Sequence, residues 1–322
     1  DYPILVVGKQ KINKNNSKAI LKAAFDQPWF IPGSSYFPQT GFPFLNGMLL
    51  DIEGGRKAAD DLIGEGEKRG YDLSPVTDQS PFFYKLEKAL PASLMNVFYF
   101  SIGIMAVFLV FPFSYFMWKI NKSSSSGQSE MNRYFVFSTY FAMIGTGFMI
   151  LEVAMIQKFM LVLGNPIYSM STMIFTMLVG AGIGSLTSSR FGLHGLRTNL
   201  IVICGALVCL ILLYQVSLPA IFRTIGTGSI AFRTVVSVVL VFPLGFVMGF
   251  PFPMAIRLIK FFKMSEIIPW MLAINGASSV FGSALTIVLA MAYGYGQAFL
   301  AAAICYGGVF ISSCLISREN RQ

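Results

Sequence analysis

The stretch ASLMNVFYFSIGIMAVFLVFPFSYFMW, residues 92–118, decides the fold, because it runs for 27 residues without a charged side chain. A helix needs roughly 20 mostly apolar residues to cover a hydrocarbon core about 30 Å thick. Six more runs of this kind follow, near 134–156, 166–187, 198–218, 233–256, 269–292 and 296–316. The pattern predicts a mainly α, polytopic membrane helix bundle of about seven spans. The first span fills 91–118, a flexible linker 119–133, a six-span bundle 134–317 and a short tail 318–322. The linker reading comes from KINKSSSSGQSE, residues 119–130, whose serine run has nothing to bury.

The mean hydropathy of +0.65 averages two unlike parts. Residues 1–90 carry 11 Lys and Arg against 11 Asp and Glu, so the whole net charge of +9 belongs to the remainder. A basic excess in short loops between spans is the footprint of membrane topology, so the bilayer is the expected partner and nucleic acid is not. Residues 1–90 read as an incomplete α/β segment: a buried strand at ILVVGK (4–9), a helix at NNSKAILKAAF (15–25), a second strand at WFIPG and a polar helix over 56–70. Two strands and one helix leave sheet edges and faces uncovered. Further strands from the same polypeptide or from a partner chain are therefore expected. Asp1 opens the sequence with no basic stretch and apolar run before the first strand, which reads as a processed chain or part of a longer one.

Soluble-enzyme signatures are missing from this reading. His194, the single histidine, stands between Arg190 and Arg197 and reads as a structural or headgroup-contacting residue. Cys204, Cys209, Cys305 and Cys314 fall inside spans without C-x-x-C spacing and read as small packing groups. Gly8 lacks the G-x-G spacing of a nucleotide loop, so neither a catalytic residue, a metal ligand set nor a cofactor site is assigned.

Polar groups at membrane depth carry more information, since an ionisable side chain there costs several kcal/mol unless it is paired or faces a cavity. The candidate intramembrane polar or ligand site comprises Glu152, Gln157, Lys158, Asn165 and Asn275, with Glu152 and Asn275 expected to face the bundle interior. Two readings compete: a pocket or ion pathway, and interhelical hydrogen bonds that hold the bundle together. Gly180 and Gly184 sit four apart and mark a helix-packing face. Pro243, Pro251 and Pro253 predict a kinked or broken fifth span. The second span either reaches Leu163 or breaks and lies along the interface.

SPVTDQSPFF (74–83), EVAMIQKFMLVLGNPIYS (152–169), LGFVMGFPFP (244–253) and PWMLAINGASSVFGS (269–283) resemble, in order, motifs of the spermidine synthase-like multipass membrane proteins. The resemblance implies that residues 1–90 are the end of a Rossmann-like methyltransferase or aminopropyltransferase domain. The Gly-rich loop, the catalytic aspartates and any S-adenosylmethionine-type cofactor would belong to sequence upstream of Asp1. Gln79-Ser80 departs from the family's usual Asp-Arg at the junction with the membrane. GAGIGSLTSSRFGLHGLR (180–197) is also similar to a basic loop of major facilitator transporters, with Ser189 in place of the acidic residue.

Three functions follow as expectations. The first is a non-catalytic membrane portion acting as anchor, scaffold or partner-binding subunit. The second is the substrate-holding half of a transferase whose chemistry lies upstream or on another chain, and the third is a transporter-like permease. With seven spans, one side gathers Lys119, Lys122, Arg133, Arg190, Arg197, Arg257, Lys260, Lys263, Arg318 and Arg321, and the other only Lys158, Arg223 and Arg233. Cytoplasmic loops hold the Lys and Arg excess, so the expected location is an inner or plasma membrane with the C-terminus cytoplasmic and residues 1–90 outside.

Overall fold

The structure is a computed structural model that describes residues 64, 68, 90–122, 127–192, 195–226 and 228–318. The α/β segment expected over residues 1–90 lies outside them apart from positions 64, 68 and 90, as do His194, Gln79 and Ser80. From residue 90 onward the order is α1 (Ala92–Lys122), α2 (Gly127–Leu163), α3 (Pro166–Ser188), α4 (Leu196–Ile225), α5 (Ile230–Met248), α6 (Pro251–Phe261), a 3-10 turn (Ser265–Ile267), α7 (Ile268–Tyr293) and α8 (Tyr295–Arg318). With α5 and α6 taken as one unit, seven helical stretches among the described residues are long and apolar enough to cross a membrane. Lipid offers the backbone no hydrogen bonds, and a helix satisfies its own N–H and C=O groups within the segment. The chain is a multi-pass membrane helix bundle.

The linker expected over 119–133 is corrected. Helix α1 continues to Lys122 and α2 already begins at Gly127, so 127–133 is helical. Gln128, Glu130, Met131 and Arg133 are good helix formers, and Glu130 in the first turn complements the positive end of the helix dipole. The serine run at 123–126 lies outside the described residues.

Helix α2 settles the question of the second span, because it is continuous over 37 residues to Leu163. At about 1.5 Å per residue it is roughly 55 Å long, well beyond the hydrocarbon thickness. Its stop is local chemistry. Gly164 adopts φ +74, Asn165 caps α3 by accepting the Tyr168 N–H at 3.1 Å, and Pro166 takes the first-turn position where no N–H is needed.

The fifth span is broken. Helix α5 ends at Met248, Pro251 opens α6, and the Gly249 and Phe250 N–H groups bond back to Phe246 and Val247 carbonyls. Pro251 has no N–H to offer the ladder, and its own carbonyl accepts the Tyr140 hydroxyl from α2 at 2.9 Å.

Helix α2 is the axis of the bundle, 61% buried along its most apolar window against 6% for α1. It packs on α7 and α8, while α3 pairs with α5 and α4 with α8. The α2–α7 pair is parallel: Ser138 meets Met271, Phe141 meets Asn275, and Thr146 meets Ser278. The α2–α8 pair runs the other way, with Met143 against Gly308 and Gly147 against Cys305 and Tyr306. Apolar lipid gives no hydrophobic reason for helices to associate, so close packing and interhelical hydrogen bonds hold such a bundle.

Candidate functional site

The five candidate polar residues do not converge. Glu152 follows Phe141 by eleven residues and Gly145 by seven, so it continues the face of α2 that meets α7. It is 9% exposed, and no hydrogen bond or ion pair reaches its carboxylate among the described residues. Lys158 lies eleven residues beyond Gly147, on the face that meets α8. Its ammonium sits 4.3 Å from the centre of the Phe299 ring and reaches Gln215 Oε1 of α4 at 3.5 Å. Six residues separate Glu152 from Lys158, about 240° around the helix, which points them to different neighbours. Gln157 is half-buried.

Asn275 is an interhelical hydrogen bonder. Its Nδ2 donates to the Phe141 carbonyl at 3.1 Å, and its backbone presses on Gly145, where a Cβ would lie 3.0 Å from Nδ2. Asn165 is exposed and acts as the α3 cap. Gly180 and Gly184 lie against α5: a Cβ on Gly180 would be 2.9 Å from both Phe242 O and Phe246 N, and one on Gly184 would run into Phe246 O. Gly245 of α5 and Gly249 just past its end answer, against Met177 and Ala181 of α3. The backbones of α3 and α5 therefore touch over at least two turns.

Two arginines outside the intramembrane candidates tie α5 and α6 to the ends of neighbouring helices. Arg233, in the first turn of α5, donates to the Val162 carbonyl at 2.6 Å, one of the orphan acceptors at the end of α2. Arg257 of α6 donates through Nη1 to Ser188 O at 2.9 Å and through Nη2 to Phe191 O at 2.6 Å, satisfying the end of α3. The available signal was their place at the ends of the span, next to helix termini whose last carbonyls need donors. Near Arg257, Arg133 lies 4.6 Å from the centre of the Phe262 ring, and Arg197 lies 5.2 and 5.1 Å from those of Phe261 and Phe262. Arg133, Ser188, Phe191, Arg197, Arg257, Phe261 and Phe262 thus gather at one end of the bundle.

Cys204 accepts from Ser313 Oγ at 3.7 Å in the α4–α8 contact, and all four cysteines are free thiols. Among the described residues no three His, Cys, Asp or Glu side chains are grouped to hold a metal ion. Compared with protein-family models, with curated proteins and with solved structures, the chain matches none of them.

Proposed function

We propose that this chain is the membrane-embedded, non-catalytic portion of a spermidine synthase-like protein, serving as anchor and partner-binding subunit for an α/β domain. One observation carries the reading: four polar side chains, Glu152 and Lys158 not among them, bond the backbones of neighbouring elements. Tyr140 donates to Pro251, Thr146 to Ser278, Asn275 to Phe141 and Arg257 to Ser188 and Phe191. Groups engaged in this way hold spans in one arrangement, which suits an anchor. The resemblance of residues 1–90 to the end of a Rossmann-like domain identifies the partner as further α/β strands, on the same polypeptide or on another chain, and any S-adenosylmethionine-type cofactor stays with them. Mild-detergent isolation of native material followed by intact-mass measurement and pull-down is expected to recover such a domain with the spans. A stable, monodisperse 35.5 kDa species with nothing bound counts against the proposal.

Glu152 favours a second reading, a permease. A carboxylate buried in a span without a partner among the described residues is costly, and such residues mark ion or solute pathways. Glu152→Leu separates the two. No described hydrogen bond is lost and a desolvation cost is removed, so the variant gains about 1–3 kcal/mol of stability. A subunit that anchors keeps its partner after this change. A permease gains the same stability and loses uptake in vesicles. Lower thermal stability than the parent would show that Glu152 has a stabilising partner.

A further inference from the structure

Helix α7 runs parallel to α2, so its start at Ile268 lies at the same end of the bundle as Arg133 in the second turn of α2. Tyr115 of α1 meets Trp118 and Trp270 there, with ring centroids 6.4 and 6.1 Å away. Tyrosine and tryptophan collect where a bilayer meets water, because their rings are apolar and carry one polar group. These rings set this end at headgroup depth. Basic side chains reach the same end from helices far apart in sequence. Arg133 of α2 lies over the Phe262 ring at 4.6 Å, and Arg197 of α4 lies over the same ring at 5.1 Å. A ring holds a guanidinium in place without supplying an acceptor, and the guanidinium fork matches a phosphate in geometry. Arg257, bonded to Ser188 and Phe191, adds a third fixed charge, and Arg190, Lys260 and Lys263 are exposed. Against these six bases stand two acids, Glu130 and Glu266, both exposed, which leaves four positive charges in excess.

Lys263 adds a second kind of observation. It adopts φ 59, the left-handed position that ends α6, where the Met264 N–H bonds the Ile259 carbonyl. Glycine takes such a position without steric cost. The negative end of the α6 dipole favours a cation, but Lys260 in the last turn already supplies one. The strained lysine therefore adds charge beyond what the helix end needs. Like charges held around one ring repel each other unless an anion lies among them. At headgroup depth the abundant anion is a lipid phosphate, and clustered bases at the ends of spans recognise it. We infer that the end of the bundle formed by α2, α4 and α6 is a binding site for an anionic phospholipid headgroup, with the phosphate at Arg133 and Arg197 and with Lys260 and Lys263 at its rim. A zwitterionic lipid brings its own ammonium, which the excess of bases repels. Phe261, 50% exposed beside Arg197, offers the acyl end of a lipid an apolar contact that a free phosphate has no use for. This site is independent of both the anchor and the permease readings.

The full chain in mild detergent is mixed with phosphatidylglycerol or with phosphatidylcholine of the same acyl chains, and bound lipid is measured by native mass spectrometry, with glycerol phosphate as a water-soluble competitor. Phosphatidylglycerol is expected to be retained and phosphatidylcholine lost. Arg133→Gln and Arg197→Gln each weaken retention about tenfold, the worth of one charge-assisted hydrogen bond. Arg133→Lys keeps the charge but not the fork and falls between. Arg223→Gln, which removes an exposed base at the other end of α4, leaves retention unchanged. Lys263→Gly relieves the left-handed backbone, so its thermal midpoint in detergent rises while retention falls about fivefold, as for one cation near an anionic surface. That opposite movement decides the matter where an arginine variant does not fold. Equal retention of the two lipids, equal loss in Arg223→Gln and Arg133→Gln, or unchanged retention in Lys263→Gly overturns the site. Displacement by glycerol phosphate as readily as by phosphatidylglycerol overturns it as a lipid site and shows that phosphate alone is recognised.

Discussion

Gly184→Leu and Gly249→Leu are each expected to abolish the monodisperse folded bundle in mild detergent, while Gly182→Leu leaves it intact. A Cβ on Gly184 meets Phe246 O and one on Gly249 meets the Ala181 backbone, so neither can be absorbed by a side-chain rotation. The same holds at Gly245, where a Cβ would lie 2.8 Å from Met177 O. Leucine must push the α3 and α5 axes apart. Overpacking of this kind costs about 1–3 kcal/mol, and the displacement also strains the Arg257 bonds to Ser188 and Phe191, leaving buried carbonyls worth about 1–3 kcal/mol each. Gly182, on the same helix, has nothing within 4 Å of its Cβ position and controls for helix propensity and added hydrophobicity. Size-exclusion profiles and thermal midpoints decide the matter, and equal behaviour of Gly184→Leu and Gly182→Leu would refute the backbone contact.

Impermeant labelling of single cysteines in intact cells or spheroplasts is expected to mark position 35 and to spare positions 123–126, an all-or-none difference. The four native cysteines are first replaced. The expectation rests on seven spans with α2 crossing as one continuous helix to Leu163, which removes the alternative of a re-entrant 152–163 segment. It also rests on charge, because Arg133, Arg197 and Arg257 gather at one end with Phe262 and the α3 terminus. Cytoplasmic loops hold such an excess, and residues 1–90 are then expected on the other side, away from cytoplasmic cofactor pools. Linker labelling with position 35 protected would reverse the topology and favour the transferase reading.

The sequence by itself determined the elements of the membrane part. Apolar runs of span length, the Gly164-Pro166 stop, the break before Pro251 and the small-residue spacing at Gly180 and Gly184 are local properties, set by transfer free energy, by prolines without a donor and by side chains without bulk. The start of α2 was misread because serines at 123–126 suggested a linker as far as 133, although Gln128, Glu130, Met131 and Arg133 are good helix formers. Only the tertiary structure decided which helices meet. That Gly184 faces α5, that Asn275 donates to Phe141, and that Glu152 and Lys158 look to different neighbours depends on rotation and register between helices far apart in sequence. Periodicity marks a face on each helix but carries no label for its partner. The cavity lined by Met105, Phe113, Met143, Phe281 and Cys305 was equally invisible, because a cavity is what remains between α1, α2, α7 and α8 once every span has found its place.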